Sequence, residues 1–475
     1  MSAFAALVSG RMRRPALWAD ASLWLQAGAV LVAGLVLSFA PLSLAVSIVG
    51  GVAIALFALL HPPAALPLLV FSVPFGLVRE VALGRARLGL PEAFWALAWG
   101  AWLTQGAARR RLDVRAGPLA WLFALFAWTT ALSLLVATSV LEAIPEVIKW
   151  AEVWALYLMA RSVLRPRWVP WLIGAALAAG TVQGLLGIYQ FVWQAGPEPF
   201  RLGRFLRAFG TFAQPNPYAG YLGMVVPLGL SLTLWALGAA WRKPRRFWAG
   251  ARLLAYGLAT IICIAGIVMS WSRGAWLGFA TATLTVMTVH SGRSRLVLIS
   301  LVLIMTITGL LSGFGLLPPA ISARLADLGS FIGPLNLNAV EITDANFSVY
   351  ERVAHWYAGI AMFADHPWLG VGAGNFSVVY SAYALARWQQ PLGHAHNIYI
   401  NIAAETGLVG LLAFLAMWGA TFAITLRSIR NTSGYSRAVA VGVLGVLIHM
   451  SVHNLFDNLF VQRMYLHWAL LLALI

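Results

Sequence analysis

Residues 21–78 read ASLWLQAGAVLVAGLVLSFAPLSLAVSIVGGVAIALFALLHPPAALPLLVFSVPFGLV, and none of these 58 positions is Asp, Glu, Lys or Arg. A helix crosses the hydrocarbon core of a bilayer in about 20 apolar residues, so the stretch holds two or three crossings. Pro41 and the run His61-Pro62-Pro63 punctuate it, as prolines do where one helix must stop before the next begins. Uncharged runs recur at 116–141, 168–197, 208–241, 253–270, 274–289, 296–323 and 438–456. Over the whole chain 61% of residues are hydrophobic and 10% charged, with a mean hydropathy of +0.82. A soluble domain carries about 25% charged residues, so a soluble globular protein and a disordered chain are both excluded. The runs lack the short alternating segments of a membrane barrel. The sequence therefore predicts an all-α polytopic integral membrane protein with about 12–14 transmembrane helices.

The formal charge of +17 invites a nucleic-acid reading, which the placement of the charges excludes. Basic residues fall in short clusters between apolar runs, such as Arg109, Arg110 and Arg111, or Arg427, Arg430 and Arg437. No continuous basic face results. By the positive-inside rule these clusters mark cytoplasmic loops. Threading the chain accordingly gives a cytoplasmic basic N-terminus at 1–20 and transmembrane helices over 21–314 that include an outer loop at 195–215. An extracytoplasmic cap with amphipathic helices at 315–396 follows, and then C-terminal transmembrane helices over 397–475, expected at 397–426, 438–456 and 459–475. Loop 79–90 and the turn 271–273 fall on the same outer side as 195–215 and the cap. Cys263 is the only cysteine, so no disulfide framework exists.

Chemistry concentrates on that outer side. Arg201, Arg204 and Arg207 precede AFGTFAQPNP at 208–217; arginines where positive charge is usually depleted point to an anionic ligand, because the guanidinium fork matches phosphate oxygens. Arg273 stands alone between two apolar helices, and a membrane-edge arginine is a functional candidate by default. His394 and His396, in HAHNIYIN at 394–401, lead into a long helix. The positive end of a helix disfavours imidazolium, so a neutral ring there is available as a base. Two close histidines can also be metal ligands, although no acidic residue follows in sequence until Glu405. DHPWLGVGAGNF at 365–376 is no dinucleotide fingerprint. It suits a turn that lets the cap approach the membrane helices closely. His449, His453 and Asp457 fall at i, i+4 and i+8, on one face of the penultimate helix; such a stripe suits a proton path, a metal site or an interhelical hydrogen-bond seam, and the seam is the favoured reading.

These motifs, in this order, resemble the bacterial O-antigen ligases and related polysaccharide polymerases. His396-Asn397, nine residues, then Gly407-Leu408-Val409-Gly410 fits the pattern H-[NSQ]-x9-G-x-x-G. Residues 207–216 resemble the family's R-x-x-G-T-F-x-x-x-N segment, and Ser272-Arg273-Gly274 its S-R-G turn. The resemblance covers about 205–410. It implies a metal-independent, inverting glycosyltransferase of the bacterial inner membrane, acting at the extracytoplasmic face without a cofactor. The implied donor is a glycan on undecaprenyl diphosphate; the acceptor is a lipid A core in a ligase, another lipid-linked glycan in a polymerase, or a protein hydroxyl in a protein O-glycosyltransferase. Arg207 and Arg273 would hold the diphosphate and His396 would deprotonate the acceptor, with Arg204, Asn216, Arg352, His394, Asn397 and Tyr399 as substrate-binding residues. A flippase for an anionic lipid-linked glycan is the alternative of another class, though such transporters show paired halves.

Overall fold

In the computed structural model the described residues are 41–78, 80–83, 86–242, 247–300, 303 and 347–475. The expected N-terminal segment 1–20, crossings within 21–40, the cluster Lys243, Arg245 and Arg246, and the cap's first part at 315–346 lie outside them, as does most of the helix expected at 296–314. The chain divides into two compact units, 1–60 and 61–475. In the first, α1 (Leu42–Leu60) is an apolar helix without a charged residue.

The second unit is built of helices with two short hairpins. After α2 (Ala65–Ser72) come the hairpin β1 (Val81–Leu83) and β2 (Ala86–Leu88), then α3 (Leu90–Ala108), α4 (Ala120–Leu132), α5 (Val140–Val163) and α6 (Val169–Val192). A second hairpin, β3 (Arg201–Leu202) and β4 (Phe205–Leu206), precedes α7 (Pro215–Arg242), α8 (Phe247–Met269) and α9 (Arg273–His290). The last part holds α10 (Phe347–Asp365), α11 (Phe376–Tyr383), α12 (Ile398–Asn431), α13 (Gly434–His453) and α14 (Met464–Leu472). Five helices among the described residues are long and apolar enough to cross a membrane: 166–192, 215–241, 247–269, 398–431 and 434–453. This is an all-α, multi-pass membrane protein.

Close approach between helices depends on small residues, as expected where lipid supplies no hydrophobic drive. α7 packs against α6, α8, α9 and α13. A Cβ at Gly223 of α7 or at Gly278 of α9 would fall on the ring of His449 in α13. The imidazole thus fills a seat cut by two glycines.

Two expectations about the C-terminal helices are corrected. α13 stops at His453, with Asn454 as its C-cap, so His449 and His453 share a helix while Asp457 lies beyond it. The final helix is also shorter than 459–475, because residues 454–463 form an irregular turn closed by side chains. The Asn454 carboxamide accepts from the Leu459 amide at 2.8 Å, and that of Asn458 from the Phe460 amide at 2.9 Å. Asn side chains that mimic backbone carbonyls stop a helix in this way.

Candidate functional site

The segment before α12 carries the histidines. Asn397 is the N-cap of α12: its side-chain oxygen accepts from the Tyr399 amide at 3.0 Å and the Ile400 amide at 3.2 Å, satisfying two of the donors a helix start leaves open. The residue before it, His396, sits in the left-handed region at φ 51°. The His396 amide donates to Nδ1 of His394 at 3.0 Å, and the two rings stand 4.3 Å apart. Nδ1 of His394 therefore carries no proton. Burial, reinforced by the charge of His396, pushes His394 down to about 3 against the pull of Asp457.

Asp457 is the carboxylate that the sequence does not place beside these histidines. Its Oδ1 lies 3.5 Å from Nδ1 of His396 and 3.8 Å from Nε2 of His394. Burial acts to raise this carboxyl, but the imidazole of His396, with His394 and Arg352, overrides burial and holds it well below the usual carboxylate range. Neither ring nitrogen of His396 meets a hydrogen-bond partner among the described residues, Nδ1 facing Asp457 at ion-pair distance and Nε2 standing unpartnered. With Nδ1 turned toward a carboxylate, the Nε2 lone pair is the free end of the ring. The expectation that the histidines lack an acidic neighbour is thus corrected: α13 and its turn supply one from about sixty residues away. The three ligating atoms lie within 4.8 Å of one another, close enough to bracket a cation.

The arginines join this pair through a chain of contacts. Arg207, just after β4, donates from Nε to the Ser270 carbonyl at 2.8 Å and from Nη2 to Asn216 Oδ1 at 2.9 Å. Ser270 begins the tight turn in which Trp271 has φ 53° and from which α9 starts at Arg273. Arg273 donates from Nη2 to Ser348 Oγ at 3.0 Å. One turn further along α10, Arg352 donates from Nε to the Phe456 carbonyl at 3.1 Å, next to Asp457. Arg207, Arg273, Arg352, Asp457 and His396 therefore lie along one continuous path, although five separate parts of the chain contribute them.

A broken helix holds the path in place. α12 is two helices meeting at Gly407, which has φ 64° and ψ −164°. The turn at 366–374 docks into the break. Pro367 and Trp368 offer carbonyls to the amides of Leu408, at 2.7 Å, and Val409, at 3.3 Å, while Val371 and Gly372 donate to the carbonyls of Ala404, at 2.9 Å, and Glu405, at 3.0 Å. A Cβ on Gly407 would strike the Trp368 carbonyl, and one on Gly370 the Glu405 backbone. The Glu405 carboxylate accepts from the Phe376 amide at 3.2 Å and faces a small polar cavity of about 20 Å³ with Glu146, Lys149, Asn401 and Asn458.

Residues 258–415 match the family model described as O-antigen ligase. Among curated proteins, the O-antigen ligase of Pseudomonas aeruginosa PAO1 is similar, with 23% identity over 320 residues, 67% of this chain and 65% of that protein. Both matches support the O-antigen ligase superfamily. The chain thus spans just under two thirds of its curated relative's length.

The O-antigen ligase match contains Arg273, Arg352, His394, His396 and both halves of the broken helix up to Leu415, but neither Arg207 nor Asp457. Of the residues expected to bind substrate, Asn216 supports Arg207 and Asn397 caps α12. Tyr399 donates its hydroxyl to the Ser451 carbonyl at 3.2 Å. Arg204 stands on the β3–β4 turn, its guanidinium 4.9 Å from the Phe205 ring centre. Ser348 is a residue that sequence reasoning passes over, and Asp457 is one it groups with His449 and His453 and not with His396. Asp457 does carry a signal, since a lone acid among apolar C-terminal helices is costly.

Proposed function

We propose that the protein is a membrane glycosyltransferase that moves a glycan from an undecaprenyl-diphosphate-linked donor to an acceptor hydroxyl, with the lipid A core as acceptor, at the extracytoplasmic face of the bacterial inner membrane. The observation that carries this reading is the buried, unpartnered Nε2 of His396, with Asp457 3.5 Å from the other ring nitrogen, at the end of a path that begins with two arginines. In the reaction, the acceptor oxygen attacks the anomeric carbon of the donor from the face opposite the diphosphate. The bond from that carbon to the diphosphate oxygen breaks, its electron pair leaves on undecaprenyl diphosphate, and the configuration inverts. The acceptor proton passes to Nε2 of His396. A sugar hydroxyl is too weak an acid to ionise first, so proton transfer accompanies attack. Arg207 and Arg273 stabilise the charge that grows on the leaving diphosphate, where preorganised donors contribute most. Asp457 orients the imidazole and stabilises its cation, the part a carboxylate plays beside a catalytic histidine.

The reaction proposed here is metal-independent, as the family resemblance implies; a cation held by Nδ1 of His396 and Asp457 would leave Nε2 free, so the EDTA arm of the test decides the point. Its test is purified protein in lipid, supplied with a polyprenyl-diphosphate glycan and three acceptors in parallel: lipid A core, a second lipid-linked glycan, and a serine-containing peptide. A covalent product with lipid A core, unchanged in EDTA, is expected. Product with only one of the other acceptors would reassign it as a polymerase or a protein glycosyltransferase. Donor bound or translocated without product would overturn the enzyme reading, and loss of activity in EDTA restored by one divalent ion would overturn metal independence.

A further inference from the structure

The turn 454–463, which brings Asp457 to His396, ends on two consecutive non-glycine residues in the left-handed region, Gln462 at φ 49° and Arg463 at φ 66°. Each such residue costs roughly 1–2 kcal/mol, and the conformation persists only where the surroundings over-determine it. The Arg463 side chain supplies that determination. It is 10% exposed, donates from Nη1 to Glu80 at 2.8 Å and from Nε to Glu92, and both carboxylates are themselves largely buried. Glu92 is fixed in turn, since its other oxygen accepts the Gly89 amide at 2.8 Å as a helix cap. The arginine stem crosses Gly76 so closely that a Cβ there would lie 2.9 Å from Arg463 Cδ.

We propose that Arg463 is a positioning residue for glycan transfer: clamped between Glu80 and Glu92, it anchors the far end of the 454–463 turn and so holds Asp457 against His396. The near end is already fast, because the Asn454 carbonyl accepts the Ile398 amide at 3.0 Å, two residues beyond His396. Between the two anchors, the Asn458 amide donates to Asp457 Oδ1 at 2.9 Å and Phe460 is buried among the rings of Trp150, Phe414 and Trp468. With Arg463 released, the turn keeps its near anchor and loses the far one, and Asp457 lies between them. The clamp also gives the region before residue 200 a part in the chemistry, since Glu80 and Glu92 lie outside every motif that marks the site.

The inference rests on the proposed His396–Asp457 pair, and its test separates the two. Arg463→Lys keeps the charge but lacks the planar fork. Its kcat should fall on the order of 10-fold to 100-fold, the scale of a small misplacement, with KM for the lipid-linked donor unchanged. Asp457→Asn should lower kcat, and the double variant should be no slower than Asp457→Asn alone, because the clamp acts only through that carboxylate. Glu80→Gln, a milder change, should show the same split and serves if Arg463→Lys does not melt cooperatively. Normal turnover in both clamp variants beside a slow Asp457→Asn would overturn the clamp and leave the pair standing. So would a multiplicative loss in the double variant, or a change in KM alone. Normal turnover in Asp457→Asn would remove both.

Discussion

Trp271 and His396 both hold left-handed backbone, a conformation that a bulky side chain adopts at a cost. Each sits immediately beside a group assigned to the chemistry: Trp271 two residues before Arg273, and His396 as the base itself. The neighbours that enforce the geometry are specific, since Ser270 closes the first turn with its hydroxyl on the Ile267 carbonyl at 2.6 Å and Asn397 caps the helix after the second. His396→Ala should reduce turnover by about 10² to 10⁴ while donor still binds, and His394→Ala should do less, because the ring of His394 supports the loop through the His396 amide. Normal turnover in His396→Ala beside a dead His394→Ala would exchange their roles. Arg207→Lys and Arg273→Lys should each cut kcat severely with the site otherwise assembled, since a point charge does not reproduce two parallel contacts; normal transfer in both would remove leaving-group stabilisation from these residues. His394 also fixes the sign of a pH effect. Its folded pKa lies near 3, below an unfolded value of about 6.5, so the stability it contributes is present above 6.5 and is lost as pH falls toward 3. Melting temperature should therefore decline on that interval, and His394→Asn, whose amide oxygen can still accept the His396 amide, should flatten the decline.

What the sequence discloses about the helices, and what it conceals, both follow from physics. Apolar runs long enough to cross a bilayer are visible directly, so α6, α7 and α9 begin and end close to expectation. The break in α12 is not visible as such, since Gly407 sits in an apolar run that reads as one continuous helix, and a glycine is tolerated in a helix at a cost of about 1 kcal/mol. Only the partner segment explains it, because the 366–374 turn must enter the gap with its own carbonyls and amides. In the same way, the i, i+4, i+8 spacing ending at Asp457 suggests a helical face, yet the side chains of Asn454 and Asn458 stop the helix and turn the acid toward histidines far away in sequence. Gly407→Ala places a Cβ on the Trp368 carbonyl at a positive φ. It should lower both the melting temperature and turnover at least 10-fold, an outcome tied to the 1–3 kcal/mol such strain costs. An alanine variant indistinguishable from the parent would show that the turn does not need the break.

The helices run so that every segment of the site meets at one end of the second unit. α7 and α9 start there, α13 finishes there, and their other ends carry the basic residues, with Arg437 donating to the Val289 and His290 carbonyls at 2.9 Å. Arg161 likewise reaches the Ala473 and Ile475 carbonyls at 3.3 Å. The threading expected from sequence rests on the basic clusters gathered at those other ends. The pairing of Asp457 with His396 cannot be read from sequence, because it depends on how helices lie side by side. In a Cys263→Ser background, a cysteine at Gln389, in the loop leading to the histidines, should react with a membrane-impermeant thiol reagent in intact cells, and one at Arg430 should not. The reverse result would invert the molecule in the membrane and move the proposed chemistry to the cytoplasm.

The stretch between His396 and Gly407 can be viewed as a ruler. Its lower end is the base and its upper end the socket for the 366–374 turn, and nine helical residues, Ile398 to Thr406, separate them. At about 1.5 Å and 100° per residue, removing a single one shortens the rod only slightly but swings the imidazole through more than a quarter of a circle relative to the socket. Asp457 and the arginines are fixed by other helices and do not follow it. The motif's spacer is therefore expected to accept many side chains and no change in length, which is what a pattern written as nine unspecified positions between a histidine and a glycine records.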